Sequence, residues 1–227
     1  MSTGRLEKIT YRIRRLRYAA NKRLFGSQFA RKNISMEELH SYWKSPPDES
    51  NQPGSYISQR GQIDSLVSCF EKHVSRNDSI LEIGCNSGRN LNALLEAGYK
   101  KLSAIEINND ALKLLAEQLP TLAATANLRN GAIEDIITGL SENQFDVVFT
   151  VAVLLHIHED SEWVFAEMVR ITGKKLVVIE AEQGEHYRIV PRDYRKIFTD
   201  LGMEELDEFV SQSYGNYTGR VFGHANA

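Results

Sequence analysis

Leu6, Ile9, Ile13, Leu16, Ala20 and Leu24 recur at three- and four-residue steps, so residues 4 to 25 read as an amphipathic helix with arginine on its other faces. Residues 36 to 44 form a shorter helical pattern. Ser45-Pro-Pro-Asp-Glu-Ser-Asn-Gln-Pro-Gly54 then runs prolines and turn formers together and reads as a linker. Beyond it, helical and strand patterns alternate: helix around Gln62–Val74, strand Ser79–Ile83, helix Asn90–Glu96, strand Leu102–Ile107, helix Asp110–Gln118. Asn127–Gly131 is a weak third strand. Phe145–Val151 is a strong fourth, with the β-branched and aromatic residues of a strand covered on both faces. Helix Trp163–Ile171, strand Lys175–Glu180 and helix Pro191–Leu201 follow, Pro191 suiting a first turn. Glu204–Ser211 and Thr218–His224, flanking Tyr214-Gly-Asn216, end the chain as a hairpin. This order predicts an α/β fold, with residues 56–227 as one domain and residues 1–55 as a basic arm, lid and linker.

The strand Ser79–Ile83 runs straight into Gly84-Cys-Asn-Ser-Gly88 and then a helix. Glycines there let backbone pass close to a ligand without Cβ interference, and the N–H groups of the new helix face the same crevice. Glu106 lies twenty-two positions after Gly84, at the end of the next apolar run, where an acid binds a ribose diol. The loop departs from the dinucleotide fingerprint, because Asn86 replaces its second glycine and Arg89 its third. The two loops converge on a nucleoside without a pyrophosphate cradle.

Residues Ile80 to Glu182 resemble the class I S-adenosylmethionine-dependent methyltransferases. The likeness rests on Leu81-Glu-Ile-Gly-Cys-Asn-Ser-Gly88, Ala104-Ile-Glu-Ile-Asn108, Asn130-Gly-Ala-Ile-Glu-Asp135 and Phe145-Asp-Val-Val-Phe-Thr-Val-Ala-Val-Leu-Leu-His156, in that order. It implies a doubly wound, mostly parallel seven-stranded sheet with helices on both faces, closed by an antiparallel hairpin. The implied cofactor is S-adenosylmethionine, with S-adenosylhomocysteine as product. By the resemblance, Gly84, Cys85, Asn86 and Gly88 wrap the methionyl part, and Glu82 holds the loop or meets the ammonium through water. Glu106 takes the ribose and Ile107 the adenine face. Many relatives place an acid for the adenine amino group where this chain has Ala132 and Ile133, so Glu134 or backbone must serve. Thr150 and Val151 would lie beneath the methionyl group. Tyr56 and Arg60 precede the core, where relatives with an N-terminal lid meet the cofactor carboxylate, and an arginine fork suits that group.

At 227 residues the chain is long enough for one well-buried α/β domain with an appendage. Cys69 and Cys85 make no disulfide framework or zinc spacing, and no apolar run approaches the roughly 18 residues of a membrane span, so a cytoplasmic protein is expected. The net charge of −3 hides an asymmetry: residues 1–32 hold ten Lys or Arg against one acid, while the remainder carries 17 basic and 29 acidic side chains. The arm fits an anionic membrane surface, or packing on the acidic body or a partner subunit. RNA contact ranks below these, since no aromatic-interleaved motif accompanies the arm.

Methyl transfer from a sulfonium needs alignment and exclusion of water, and a hydroxyl nucleophile also needs a base. His156 and His158 follow the fourth strand, at the carboxyl edge of the sheet, and suit that role. The resembled family often carries a histidine at the position of His156 whatever its substrate, so it also reads as structural. Glu182 and His186, after the fifth strand, lie on the same edge. Tyr42 and Trp43, with Tyr56, form a candidate aromatic lid, and Arg192 and Tyr194 are further acceptor-pocket candidates. No Asn-Pro-Pro-Tyr type sequence follows the fourth strand, and Thr150 is not the acid that opens a catechol-type metal site. The expected reaction is therefore metal-free methyl transfer to a small polar acceptor. A looser resemblance to methylases of surface-sugar biosynthesis suggests a sugar or sugar-nucleotide hydroxyl. The alternatives are an RNA methyltransferase recruited by the arm and a non-catalytic scaffold that keeps the fold.

Overall fold

The computed structural model describes residues 34–57, 63–184, 188–211 and 217–225. The expected arm helix, Arg60, His186 and the turn at Tyr214–Asn216 lie outside the described residues. The chain enters through α1 (Met36–Lys44) and α2 (Pro53–Ile57), then α3 (Asp64–His73). The alternating part runs β1 (Ser79–Ile83), α4 (Arg89–Glu96), β2 (Lys101–Glu106), α5 (Asn109–Gln118), α6 (Pro120–Thr125), β3 (Asn127–Asn130), α7 (Ile133–Ile136) and β4 (Phe145–Val151). It closes with α8 (Trp163–Ile171), β5 (Thr172–Glu180), α9 (Tyr194–Asp200), β6 (Met203–Ser211) and β7 (Tyr217–His224).

The strands form one sheet in the order β3-β2-β1-β4-β5-β7-β6. β1 to β5 are parallel, and β7 is antiparallel to both of its neighbours. Period-2 alternation divides each central strand between two cores. Val148 of β4 and Leu176 and Val178 of β5 join the core beneath α8 and α9. Val147, Phe149, Val177 and Ile179 join the one beneath α3, α4 and α5. This accounts for their largely apolar runs, since a central strand of a parallel sheet is covered on both faces. The chain reverses direction of travel between β1 and β4, so their carboxyl ends open a crevice at the switch point.

The structure shifts some boundaries. The weak third strand is an exposed edge, which explains its polar composition. The last helix starts at Tyr194 rather than Pro191, because the Asp193 carboxylate accepts from Lys196 N–H and caps it there. β5 begins at Thr172, ahead of the expected Lys175. The Pro-rich stretch contains a short 3₁₀ turn at Glu49–Asn51, held by Tyr42, whose hydroxyl donates to Asp48 Oδ2 at 2.8 Å and accepts from Asn51 Nδ2 at 2.7 Å.

Candidate functional site

Gly84 leaves β1 with φ +75°, its N–H donating to Ile105 O at 2.8 Å. A Cβ there would lie 2.4 Å from Val153 Cγ2, so only glycine lets the loop pass beneath the segment after β4. Asn86 is also left-handed, with φ 48°, and its own Oδ1 accepts from Ser87 N–H at 2.7 Å. Gly88 plays a different part from the ligand-wrapping one expected. It caps α4 at φ +81°, and a Cβ there would meet Leu115 Cδ1 at 2.4 Å, so its bareness serves the packing of α4 on α5.

Glu106 ends β2 beside this loop and is 6% exposed. One carboxylate oxygen accepts from Asn86 N–H at 2.7 Å and the other from Asn108 N–H at 2.8 Å. Burial holds its pKa above the ordinary carboxylate value, against the pull of these donors. Asn130 Nδ2 donates to Glu106 O at 2.8 Å, which ties β3 to the same corner.

Glu82 lies beneath the loop, fully buried, and accepts from Asn90 Nδ2 at 2.8 Å, thereby bracing the loop against α4. Its Oε2 has no hydrogen-bond partner among the described residues. Burial pushes its pKa up to about 8. The folded pKa exceeds the unfolded one, so the folded state retains an extra proton between roughly pH 4.5 and 8. Stability is full below that window and is lost as the pH rises through it. Glu82→Gln, neutral throughout, should lose less stability than the parent between about pH 5 and pH 8.5, by on the order of 4 kcal/mol. Urea unfolding at the two pH values measures this, and equal losses would contradict the burial account.

The segment after β4 is shaped by two buried side chains. Ala152 adopts φ 58°, a left-handed conformation of the kind that persists only where surrounding structure enforces it. Glu180, at the end of β5, accepts from Thr150 Oγ1 at 3.0 Å and from the N–H groups of Val153, Leu154 and Leu155 at 2.9, 3.0 and 3.3 Å. Burial pushes its pKa up to about 7 against those four donors. Arg192 takes the opposite role, donating to Leu154 O and Ile157 O, both at 2.9 Å. One residue thus satisfies the segment's N–H groups and the other its carbonyls.

His156 stands on that segment and lines the cleft. Its Nδ1 lies 2.9 Å from Arg188 O. A carbonyl only accepts, so Nδ1 carries the hydrogen and Nε2 the lone pair of the neutral ring. Trp43 packs on the imidazole at 4.3 Å between centroids. About one turn earlier on α1, His40 Nε2 meets Glu134 Oε1 at 3.2 Å, so α1 roofs a cleft of about 430 Å³.

Gly84, Cys85, Asn86, Glu106, Ile107, Ala132, Ile133 and Glu134 line this cleft. Val151, His156, Trp43 and Tyr56 complete the expected set in the wall. The other predicted residues are placed elsewhere. Thr150 is buried on Glu180. His158 accepts from Asp160 N–H through Nδ1 at 3.1 Å, capping its own turn, and donates through Nε2 to Ile34 O at 3.0 Å, tethering the segment before α1, so both nitrogens are engaged. Tyr42 braces the turn beyond α1, and Arg192 clamps the segment after β4. Tyr194 packs edge-on against Phe165 in the core. Glu182 pairs with Arg220 at 2.7 Å.

Sequence reasoning missed Ser87, Arg188 and Tyr217, which also line the cleft. Ser87 is 1% exposed and its hydroxyl has no partner among the described residues. Its place inside the glycine loop was the available signal. Arg188 and Tyr217 arrive from the segment after β5 and the start of β7 with no local motif to mark them.

Residues 81–177 match a family model described as a methyltransferase domain. No curated protein matches the chain in sequence. Among solved structures, the chain is similar to the magnesium protoporphyrin IX methyltransferase of Synechocystis PCC 6803 with bound SAM (TM-score 0.63, 16% identity, 82% of this chain and 94% of that chain). It is also similar to the 1,6-didemethyltoxoflavin-N1-methyltransferase of Burkholderia thailandensis with bound 1,6-didemethyltoxoflavin and S-adenosylhomocysteine (TM-score 0.61, 11% identity, 84% and 87% covered). The cyclase SpnF is similar too (TM-score 0.59, 12% identity, 71% and 81% covered). At these identities the likeness is one of fold, and a shared fold hosts more than one reaction.

Proposed function

We propose that the chain, whose residues 81–177 match a methyltransferase domain, is a class I S-adenosylmethionine-dependent methyltransferase that methylates a hydroxyl of a small polar acceptor, a sugar or related metabolite. The observation that carries this reading is His156, whose Nδ1–H is committed to Arg188 O at 2.9 Å and whose Nε2 therefore holds the lone pair a hydroxyl proton needs.

The residues present fit the cofactor. The Gly84 cradle would be filled by a Cβ, and the buried Ser87 hydroxyl supplies a hydrogen-bonding group in the loop that would hold the methionyl part. Each Glu106 oxygen accepts one backbone N–H, and a carboxylate oxygen has a second lone pair for a ribose hydroxyl. Ile107, Ala132 and Ile133 would flank adenine, with Glu134 at the rim and Arg60 assigned to the cofactor carboxylate. S-adenosylmethionine, when bound, supplies a methyl group already activated on its sulfonium. The protein's work is to orient the acceptor, exclude water beneath α1 and take the hydroxyl proton at His156 Nε2 as the oxygen gains its methyl. The face of Trp43 favours the imidazolium that results.

No helix among the described residues is long and apolar enough to cross a membrane. The proposal places the enzyme in the cytoplasm, with its basic arm on an anionic membrane surface.

Calorimetric titration with S-adenosylmethionine and S-adenosylhomocysteine tests the site, with NAD as a control. Micromolar binding is expected, about 100-fold weaker or worse in Glu106→Ala, because two charge-assisted bonds to the ribose are lost. Unchanged affinity in a folded variant would remove Glu106 from the ribose role. Incorporation of labelled methyl into sugars and nucleotide sugars tests the acceptor, and failure across such a panel would exclude the sugar reading.

A further inference from the structure

His156 has two supports, and one further side chain touches both. Its Nδ1–H donates to Arg188 O at 2.9 Å, and its ring packs on Trp43 at 4.3 Å between centroids. Tyr42, 8% exposed, meets the Trp43 ring in a T-shaped contact at 5.0 Å and 90° and carries the Arg188 guanidinium 3.6 Å from its own ring centre. Its hydroxyl is pinned in turn, donating to Asp48 Oδ2 at 2.8 Å and accepting from Asn51 Nδ2 at 2.7 Å. Arg188 Nη2 lies 3.4 Å from the same Asp48 oxygen. Asn51 Oδ1 accepts at 3.1 Å from the hydroxyl of Tyr56, which lines the cleft. Tyr42 is not one of the cleft-lining residues, so any effect it has on a ligand passes through these neighbours.

We infer that Tyr42 is a positioning residue for the candidate base: by stacking on Arg188 and packing on Trp43 it fixes the carbonyl that keeps the hydrogen on His156 Nδ1 and the lone pair on Nε2. Its effect on rate rests on the proposed hydroxyl methylation, whereas the tautomer can be read without any ligand. A free neutral imidazole side chain favours the opposite, Nε2–H form, so the bond to Arg188 O is what selects the tautomer that can receive a proton at Nε2. Such a bond weakens steeply once its angle is lost. A guanidinium stacked on a pinned aromatic ring has little freedom, and that restraint passes through the Arg188 backbone to its carbonyl. A second bond, from Val190 N–H to Leu155 O at 2.8 Å, ties the same segment to the one after β4 and is the competing anchor.

The test labels the six histidines of the full chain with nitrogen-15 and reads His156 by NMR in alkaline buffer, assigned by its absence in His156→Gln. The parent should show a protonated Nδ1 and an unprotonated Nε2. Tyr42→Phe keeps both ring contacts and should keep that pattern. Tyr42→Leu removes both, and Arg188→Met removes the guanidinium while retaining the carbonyl. Each, folded by circular dichroism, should shift His156 mainly to the Nε2–H form. With an acceptor in hand, Tyr42→Leu should lower kcat by about ten-fold or more with S-adenosylhomocysteine affinity within about two-fold of the parent, and Tyr42→Phe should restore most of the rate.

The inference is overturned if the parent lacks the Nδ1–H form. It is equally overturned if either folded variant, Tyr42→Leu or Arg188→Met, retains that form, since the Val190 bond would then hold the carbonyl alone. Loss of the parent pattern in Tyr42→Phe would contradict the stacking account and move the role to the hydroxyl. Absence of methyl transfer by a folded parent with the expected tautomer is a separate outcome, which defeats the proposed function and leaves the positioning of His156 standing.

Discussion

Glu180→Ala should destabilise the fold more than removal of any other polar side chain around the cleft. The carboxylate accepts from three backbone N–H groups and from Thr150, behind the segment after β4, and is itself fully buried. Truncation leaves those donors unsatisfied, each costing about 1–3 kcal/mol. It also opens a cavity among Val178, Leu154 and Leu155, which are 1% exposed or less. Relaxation of the segment recovers part of this, so a net loss of about 3–6 kcal/mol is expected, against a total stability of about 5–15 kcal/mol. In a chain of this size that lowers Tm by about 10–20 °C. Glu180→Gln retains one carbonyl oxygen for Thr150, Val153 and Leu154 but turns an amide toward Leu155 N–H, and should lose about 1–2 kcal/mol. Thermal unfolding followed by circular dichroism ranks the three proteins. A Tm for Glu180→Ala within about 2 °C of the parent would mean that the segment is held by something else.

His156→Gln should lower the rate of methyl transfer by about 10²–10⁴-fold, the range for loss of a positioned base. S-adenosylhomocysteine affinity should stay close to that of the parent, since the loop and acid expected to hold the nucleoside lie on β1 and β2. The acid limb of the pH–rate profile should also vanish, because below the histidine's pKa the parent loses the lone pair on Nε2 and the variant has none to lose. A rate loss with the acid limb preserved would make His156 a structural prop. The contact with Trp43 offers a second check. Trp43→Leu keeps an apolar lid but withdraws the aromatic face that stabilises the imidazolium, and should shift that limb to lower pH.

What could be read in advance is what short-range chemistry enforces. Strands Ser79–Ile83 and Phe145–Val151 appear as expected because predominantly apolar segments rich in Ile, Val and Phe suit a sheet covered on both faces. Gly84 announced a turn because its φ of +75° is costly for any residue with a Cβ. Glu106 was legible through its distance from that turn, which the length of one strand–helix–strand unit sets. The helix expected from Pro191 was misplaced because the Asp193 cap and the reach of Arg192 to two carbonyls outweighed proline's preference for a first turn.

The chain's local patterns were therefore sufficient for the order of strands and helices, the glycine turn and the acid opposite it, since each depends on backbone sterics or on spacing within a few dozen residues. The division of labour among the polar groups emerged from packing. His156 and His158 stand two residues apart in the same sequence context, yet one faces the cleft with its tautomer set by Arg188 O and the other spends one nitrogen capping its own turn and the other tethering the segment before α1. Glu180 and Glu182 likewise stand two residues apart where β5 ends, one buried as a staple and the other paired with Arg220. Burial and long-range hydrogen bonding decide such roles. They depend on partners brought together by the fold from about twenty-five or more positions away, which no periodicity along the chain records.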